Sequence, residues 1–572
     1  MSSLQTILRG ISLNHSRWNL LPPVPDKHLV NDSGFPPLMA QLLYNRGLTE
    51  PSQLELFITG DKRLCDNPFL LPDMHQAVAR IYQALLSGEN IAIYGDFDVD
   101  GITATALLVQ GLSSLGGKAI PYIPHRLTEG YGLKTAALEN LYRQGISLVI
   151  TVDCGITALS QVKQAKRMGL DIIITDHHTP LPEIPSAIAI VNPKLPDSNY
   201  PFSELAGVGV AFKLLQALLQ SIGREQQLDE LIDLVALGTV ADMVPLLEEN
   251  RYLVKEGLKL INTSPRLGIR EIFTQAGLNI GTIDPVSISW ILAPRLNAAG
   301  RLAHAMTSYK LLMTESLQEA QGLSIWLAKK NAERQRLTAN ALAKAREQIL
   351  AQGISPLLVA SDSDCPAGIA GLVASRLSEE FYRPAIVIRI GEQVSSGSCR
   401  SIPEFNIILA LNQCSSLLSQ FGGHSQAAGF TIPTKNLALL QQTLSQLATI
   451  QLAGVDLRPR LDIEAEVALP DLGGDIFQTI QQLAPFGHGN PLPTFLSRRV
   501  ELAHYHTMGS EGEHLRLKLK QGGTIWDGVG FGLGNYLAEL SSPLDIVYNL
   551  EMDRWGGEER LRLNILDFAP DR

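Results

Sequence analysis

No stretch of about 18 uninterrupted apolar residues occurs anywhere in this 572-residue chain, so no membrane-spanning helix is expected. Nor does Met1 to Leu21 show a basic region followed by a continuous apolar stretch, and the chain is expected to be soluble, unexported and cytoplasmic. Cysteine is scarce. Cys65, Cys154, Cys365, Cys399 and Cys414 are scattered, odd in number and without a Cys-x-x-Cys pair, which reads as reduced thiols and not as a zinc site. An excess of positive charge is also missing. The net charge of −10 excludes a surface that is a polyanion trap throughout, but local Lys and Arg patches remain open, because carboxylates gathered around bound cations count toward the formal charge. No heptad run or apolar stripe argues for an oligomer, and a monomer is the default.

What the chain does have is core-forming material: 45% hydrophobic and 18% charged residues over this length imply two to four domains. Its most informative feature is acidic. The apolar run Ile91-Ala92-Ile93-Tyr94 closes on Gly95-Asp96-Phe97-Asp98-Val99-Asp100-Gly101, and the strand-then-acid pattern recurs at Ile150-Thr151-Val152-Asp153 and Ile172-Ile173-Ile174-Thr175-Asp176-His177-His178. Oxygen ligands with one or two imidazoles suit a hard divalent cation such as Mn²⁺ or Mg²⁺. The chemistry implied is two-metal phosphoester hydrolysis.

Two other readings compete. Asp96-x-Asp98-x-Asp100-Gly101 also fits the opening of an EF-hand calcium loop, but that loop wants Glu at its twelfth position, which is Leu107, and a preceding helix where Ile91 to Tyr94 reads as a buried strand. A solvated acidic turn is the blander alternative. Against it, Asp153 and Asp176 end two further strands, where open α/β sheets place their ligands. Asp242, in Ala241-Asp242-Met243-Val244-Pro245-Leu246 after a helical run from Leu228 to Leu237, is a fourth ligand position.

Along the chain, residues 1–72 form a Pro-containing lead-in segment with a helix near Pro37 to Arg46. Short apolar strands then alternate with helices such as Ala104 to Leu115 and Ser160 to Met168, the pattern of a doubly wound parallel sheet over residues 73–310. Residues 311–353 hold a Pro-free helix from Leu317 to Gln352, about 50 Å long at 1.5 Å per residue. Its Lys329, Lys330, Arg334 and Arg336 read equally as a solvated face or as a basic stripe for a nucleic-acid backbone. A smaller α/β body follows at 354–452, with strands at Pro356 to Ala360 and Ala385 to Ile390. It contains a Ser/Gly loop, Ser395-Ser396-Gly397-Ser398-Cys399-Arg400-Ser401, of phosphate-binding composition, and a Gly-rich stretch Phe421 to Phe430. Residues 453–572, with strand-like runs at Leu515 to Lys520 and Thr524 to Phe531, read as an OB-type β-barrel that binds nucleic acid.

Taken in order, Gly95 to Gly101, Val152-Asp153-Cys154-Gly155, Asp176-His177-His178 and Ala241 to Leu246 resemble the four motifs of the DHH phosphoesterase superfamily, and the resemblance covers nearly the whole chain. Pro294-Arg295-Leu296-Asn297-Ala298-Ala299-Gly300-Arg301, Gly422-Gly423-His424 and Pro485-Phe486-Gly487-His488-Gly489-Asn490-Pro491 resemble its bacterial branch of single-strand-specific 5′→3′ exonucleases in particular, the second lying in the associated DHHA1 domain and the third opening the OB-type domain. The resemblance implies two Mn²⁺ or Mg²⁺ ions bridged by Asp153, with Asp98 on one side and Asp100, His177 and Asp242 on the other, and with Asp96 close to the first. It implies that His178 contacts the scissile phosphate and that Asp176 orients the histidines. Arg126, Ser398 and Arg400 match positions of a 5′-phosphate pocket, Arg295 and Arg301 would grip the strand, and His424 would lie against the DNA. Single-strand specificity would come from a cleft between the α/β bodies too narrow for a duplex. The expected activity is degradation of single-stranded DNA to 5′-mononucleotides in recombination and repair, with a single-strand-binding protein and a RecQ-type helicase as partners. Shorter superfamily members that hydrolyse nanoRNA or cyclic dinucleotides lack the C-terminal body, and replication scaffolds of this architecture lack the metal ligands; neither fits this chain as well.

Overall fold

The computed structural model describes residues 15–25, 34–553 and 559–570. Contacts divide the chain into two units: Glu55–Arg334 with Pro485–Pro491, and Met1–Leu54 with Gln335–Ala484 and Leu492–Arg572.

The first unit is built on a five-stranded, all-parallel sheet: β1 (Asn90–Tyr94), β2 (Lys118–Tyr122), β3 (Ile146–Val152), β4 (Asp171–Thr175) and β5 (Ala189–Val191), in the order β2-β1-β3-β4-β5. Side chains alternate between its two faces, and both faces are buried. Ile91, Ile93, Leu148, Ile150, Val152 and Ile173 enter one apolar cluster, while Ala92, Tyr94, Val149, Ile172 and Ile174 enter the other. That is why these strands read as continuous apolar runs and not as alternating ones. Leaving β1, the chain goes first to β2 on one side and then to β3 on the other, so the strand order reverses between β1 and β3. In such sheets this reversal opens a crevice at the carboxyl ends, where ligands bind.

Helices α1 (Val99–Ser114) and α2 (Gly207–Gln220) pack on the first face, and α3 (Ile232–Asp242) packs against both of them. Helix α2 is pinned by Lys213, whose fully buried ammonium pairs with Glu249 at 2.7 Å and donates to the Asp66 carbonyl at 2.7 Å. Removing one partner of such a pair costs about 3–5 kcal/mol, so α2 is held firmly. The unit continues through α4 (Ala293–Leu302), which follows a π-helical turn at Ile288–Leu292. Pro485–Pro491, which the sequence suggests opens the barrel, packs in this unit, where the Leu246 amide donates to the His488 carbonyl at 2.8 Å.

Helix α5 spans Leu317–Gln352, as its composition predicts. Ala320, Leu323, Trp326 and Leu327 pack in the first unit's core, and Leu337, Ala341, Leu342, Ala345 and Ile349 in a cluster of the second.

The second unit contains a sheet of β6 (Leu358–Ser361), β7 (Ala385–Arg389), β8 (Val394–Arg400), β9 (Gln420–Gly423) and β10 (Ala427–Pro433), ordered β9-β10-β8-β7-β6, with only β6 and β7 parallel. Here the structure corrects one expectation: Ser395 to Arg400 is strand and not loop. Small residues hid the strand because they lack β-branched bulk, and Gly397 is required because the Phe430 ring occupies the space of a side chain there. The C-terminal strands Phe495–Met508, His514–Gln521, Thr524–Gly530, Arg560–Pro570 and Leu544–Asp553 close into a barrel, the first pairing with the last. Part of the lead-in segment belongs to this unit as well. Arg17–Leu20 pairs in parallel with Arg460–Ile463, and Trp18 packs against Ile463, Leu496, Val547 and Leu566. Among the described residues, no helix is long and apolar enough to cross a membrane.

Candidate metal centre

The ends of β1, β3 and β4 lie level, since Tyr94 is in register with Thr151, and Val152 with Thr175. The residues that follow these ends therefore converge. One donor atom from each of Asp96, Asp98 and Asp153 lies within 4.8 Å of the others, and the same holds for Asp100, His177 and Asp242, and for Asp153, His177 and His178. Asp153 and His177 are shared between groups, and their own atoms approach closely, His177 Nε2 to Asp153 Oδ1 at 3.1 Å. His177 Nε2 is 3.7 Å from Asp242 and 3.9 Å from Asp100.

Local structure sets each side chain. Asp98 caps α1, its Oδ1 accepting from the Asp100 and Gly101 amides at 3.1 and 3.2 Å. Asp100, in the first turn of α1, accepts from the Gly207 and Val208 amides that begin α2, at 2.6 and 2.8 Å. Two positive helix ends thus face this carboxylate. Asp242 is the last residue of α3, at the negative end, and is followed by Met243 at φ 62°. Asp153 itself has φ 59°, a conformation that costs about 1–3 kcal/mol and concentrates at functional sites. Asp176, wholly buried, accepts from the Ile156 amide at 2.9 Å, the His177 amide at 2.8 Å and the His178 imidazole at 2.7 Å.

The charges explain what such a site needs. Burial, then repulsion from Asp100 and Asp98, holds the Asp153 carboxyl well above the usual range, and burial with the neighbouring acids does the same to Asp96 and Asp242. Asp100 is pushed up to about 7 by burial and by Asp98. His177 falls to about 3 through burial and the charge of His178, which favours the neutral imidazole. Asp176 goes the other way: burial opposes its charge, but the His178 hydrogen bond and charge hold it low, and burial of His178 is likewise outweighed by Asp176, which raises it. Asp96 Oδ1 is buried and has no hydrogen-bond partner among the described residues. Repelling carboxylates, a neutral imidazole and an orphaned carboxylate oxygen are a donor set that fits hard divalent cations.

The other residues singled out in the sequence divide between the units. In the first, the Arg126 guanidinium lies 4.5 Å over the Phe97 ring, where burial lowers its pKa against the opposing pull of Asp96 and Asp98. Arg295 and Arg301 share α4, and Arg295 donates to the Ile291 carbonyl at 2.7 Å. In the second, Ser396, Ser398 and Arg400 alternate onto the less buried face of β8, and Arg400 donates to the Cys399 carbonyl at 2.8 Å. His424 is exposed at the turn between β9 and β10.

Sequence reasoning passed over several residues that hold the centre. Gly207 has no room for a side chain: a Cβ would sit 2.6 Å from Asp153 Cβ and 2.8 Å from Asp100 Oδ2. The Tyr131 hydroxyl donates to the Asp153 carbonyl at 3.3 Å and lies 3.3 Å from His178 Nδ1. Asn192, fully buried, donates to the His178 carbonyl at 2.9 Å. Gly207 had a signal, the small-residue run Ala206-Gly207-Val208-Gly209 at a helix start; Tyr131 and Asn192 had none.

Comparison with known proteins agrees with this architecture. Residues 90–239 match the DHH family N-terminal domain, 354–449 the DHHA1 domain and 463–567 the RecJ OB domain. The chain is 38% identical to the single-stranded-DNA-specific exonuclease RecJ of Bacillus subtilis, over 97% of this chain and 71% of that protein. It is 32% identical to the Escherichia coli RecJ, over 94% and 96%. Its structure resembles the crystal structure of Thermus thermophilus RecJ in complex with Mn²⁺, with a TM-score of 0.83 at 30% identity over 97% of this chain and 80% of that one, and the Mg²⁺ complex with a TM-score of 0.78. With all three domains in order and whole-chain identity at this level, the chain belongs to the RecJ family of DHH phosphoesterases.

Proposed function

We propose that this chain is a metal-dependent exonuclease that degrades single-stranded DNA from its 5′ end to 5′-mononucleotides, in recombination and repair. The observation that carries this reading is the convergence of Asp96, Asp98, Asp100, Asp153, Asp242, His177 and His178 at the carboxyl ends of β1, β3 and β4 in a chain of the RecJ family. Relatives named as single-stranded-DNA-specific exonucleases, and one crystallised with Mn²⁺ and with Mg²⁺, support it.

Two Mn²⁺ or Mg²⁺ ions would be held by Asp96, Asp98, Asp100, Asp153, His177 and Asp242, and when bound they supply Lewis-acid charge and an acidified water. The protein's own groups do the rest. Asp153, shared between two of the donor groups, would be the ligand common to both ions. His178, oriented by Asp176, meets the scissile phosphate. Arg126, Ser398 and Arg400 take the 5′-phosphate; Arg295, Arg301 and His424 hold the strand through its backbone. We assign residues 73–310 to the DHH catalytic domain, 311–353 to the connecting helix, 354–452 to DHHA1 and 453–572 to nucleic-acid binding. The chain acts as a cytoplasmic monomer on strands supplied by a RecQ-type helicase and a single-strand-binding protein.

The test is release of mononucleotides from a 5′-labelled single strand in Mn²⁺, with a duplex and a dinucleotide as controls. The proposal requires the single strand to be degraded and the duplex spared, and it requires Asp153→Ala to lose hydrolysis while keeping its fold and strand binding. Near-normal cleavage by that variant would remove Asp153 as the bridge.

A further inference from the structure

The first turn of α1 presents amides that have no acceptor within the helix, and the structure satisfies them from two sources. Asp98 Oδ1 takes Asp100 and Gly101. The remaining amide, Val99, belongs to a residue that is 1% exposed and out of reach of water. It donates instead to the side-chain oxygen of Asn297, on α4, at 3.1 Å. Three residues further along the same helix, Gly300 lies so close to the turn that a Cβ would sit 2.6 Å from the Phe97 carbonyl oxygen. Positions i and i+3 share a helix face, so one face of α4 grips the Phe97–Val99 turn at two points. Among the described residues, Asp98 Oδ2 accepts no hydrogen bond, which leaves one carboxylate oxygen committed to the cap and the other available.

We propose that Asn297 is a positioning residue for Asp98: by taking the Val99 amide from outside the helix, it keeps the Asp98 cap at two donors and fixes the orientation in which Asp98 offers its second oxygen to a divalent cation beside Asp96 and Asp153. The proposal rests on the assignment of Asp98 as a ligand. Without Asn297 the Val99 amide is left buried and unpaired, and the turn relaxes toward the acceptor at hand, the Asp98 carboxylate, at the expense of the ligand geometry. Groups that orient metal ligands in this way change affinity about 10–100-fold when removed.

The experiment is a direct titration of the full chain with Mn²⁺, following free ion by electron paramagnetic resonance, beside circular dichroism and the KM for single-stranded DNA. Asn297→Ala is expected to weaken Mn²⁺ binding about tenfold or more with KM unchanged, whereas Asn297→Asp, which retains the acceptor oxygen, stays within about threefold of the native chain. If Asn297→Ala does not fold, Asn297→Ser, whose hydroxyl is too short to reach Val99, carries the same expectation. Native Mn²⁺ affinity in the folded Ala or Ser variant overturns the proposal, as does an Asp variant as weak as Ala. A native chain that binds Mn²⁺ but releases no nucleotide overturns the proposed nuclease function instead and leaves this titration readable.

Discussion

Asp176 Oδ1 accepts from the His178 imidazole at 2.7 Å, and the same oxygen takes the His178 amide at 3.1 Å. One carboxylate therefore fixes both the backbone and the ring of the histidine three residues past the end of β4, and its charge favours the imidazolium.

Asp176→Asn keeps the shape and removes the charge. Mononucleotide release in saturating Mn²⁺ is expected to fall about 10–100-fold, with strand affinity unchanged. Native turnover in this variant would show that His178 needs no anion behind it.

Arg400→Ala tests the end-reader. On β8 this guanidinium shares a face with Ser398, and its loss is expected to remove the preference for a 5′-phosphorylated over a 5′-hydroxyl end, with cleavage of the hydroxyl strand largely kept. Competition between the two labelled strands measures it. Equal losses on both ends exclude Arg400 from phosphate recognition.

Sequence reading reached as far as chemistry with a local signature extends. Asp96, Asp98, Asp153 and His177 stand where apolar strands end, and α5 stands out because it lacks proline over 36 residues. What stayed hidden depends on contacts distant in sequence. The partner of Asn297 is 198 positions away, and Arg17–Leu20 finds its strand at Arg460–Ile463. The serines and glycine of strand β8 suggest a loop because they carry little strand propensity, and Gly397 is explained only by the Phe430 ring that fills the space over it.

Gly207 joins α2 to the acids with no space to spare. Gly207→Ala places a methyl group against Asp153 and Asp100, so Mn²⁺-dependent activity is expected to fall by about two orders of magnitude, a displacement of about 1 Å at a catalytic centre being enough for that. Turnover measured across Mn²⁺ concentrations distinguishes weakened metal binding, which excess ion restores, from lost geometry, which it does not. An unaffected enzyme would mean that α2 can shift without disturbing the acids.

The crowded carboxylates make a prediction about stability without metal. Asp153, Asp96 and Asp242 are held well above the ordinary aspartate value of 3.8, and Asp100 rises to about 7. The folded chain thus binds these protons more tightly than the unfolded chain. Stability from this source is present at low pH and is lost as pH climbs, for Asp100 from 3.8 through about 7. In chelator at pH 8, Asp153→Asn should melt higher than the native chain, since it removes one repelling charge and keeps an oxygen for His177 Nε2; at pH 5 the two should converge. Mn²⁺ reverses the order, because a ligand at about 100 times its dissociation constant adds roughly 2.7 kcal/mol to the protein that binds it. Thermal melts in chelator and in Mn²⁺ at both pH values decide the matter. A variant that melts below the native chain at pH 8 without metal would mean that the acids are not under mutual strain and that Asp153 stabilises the fold on its own.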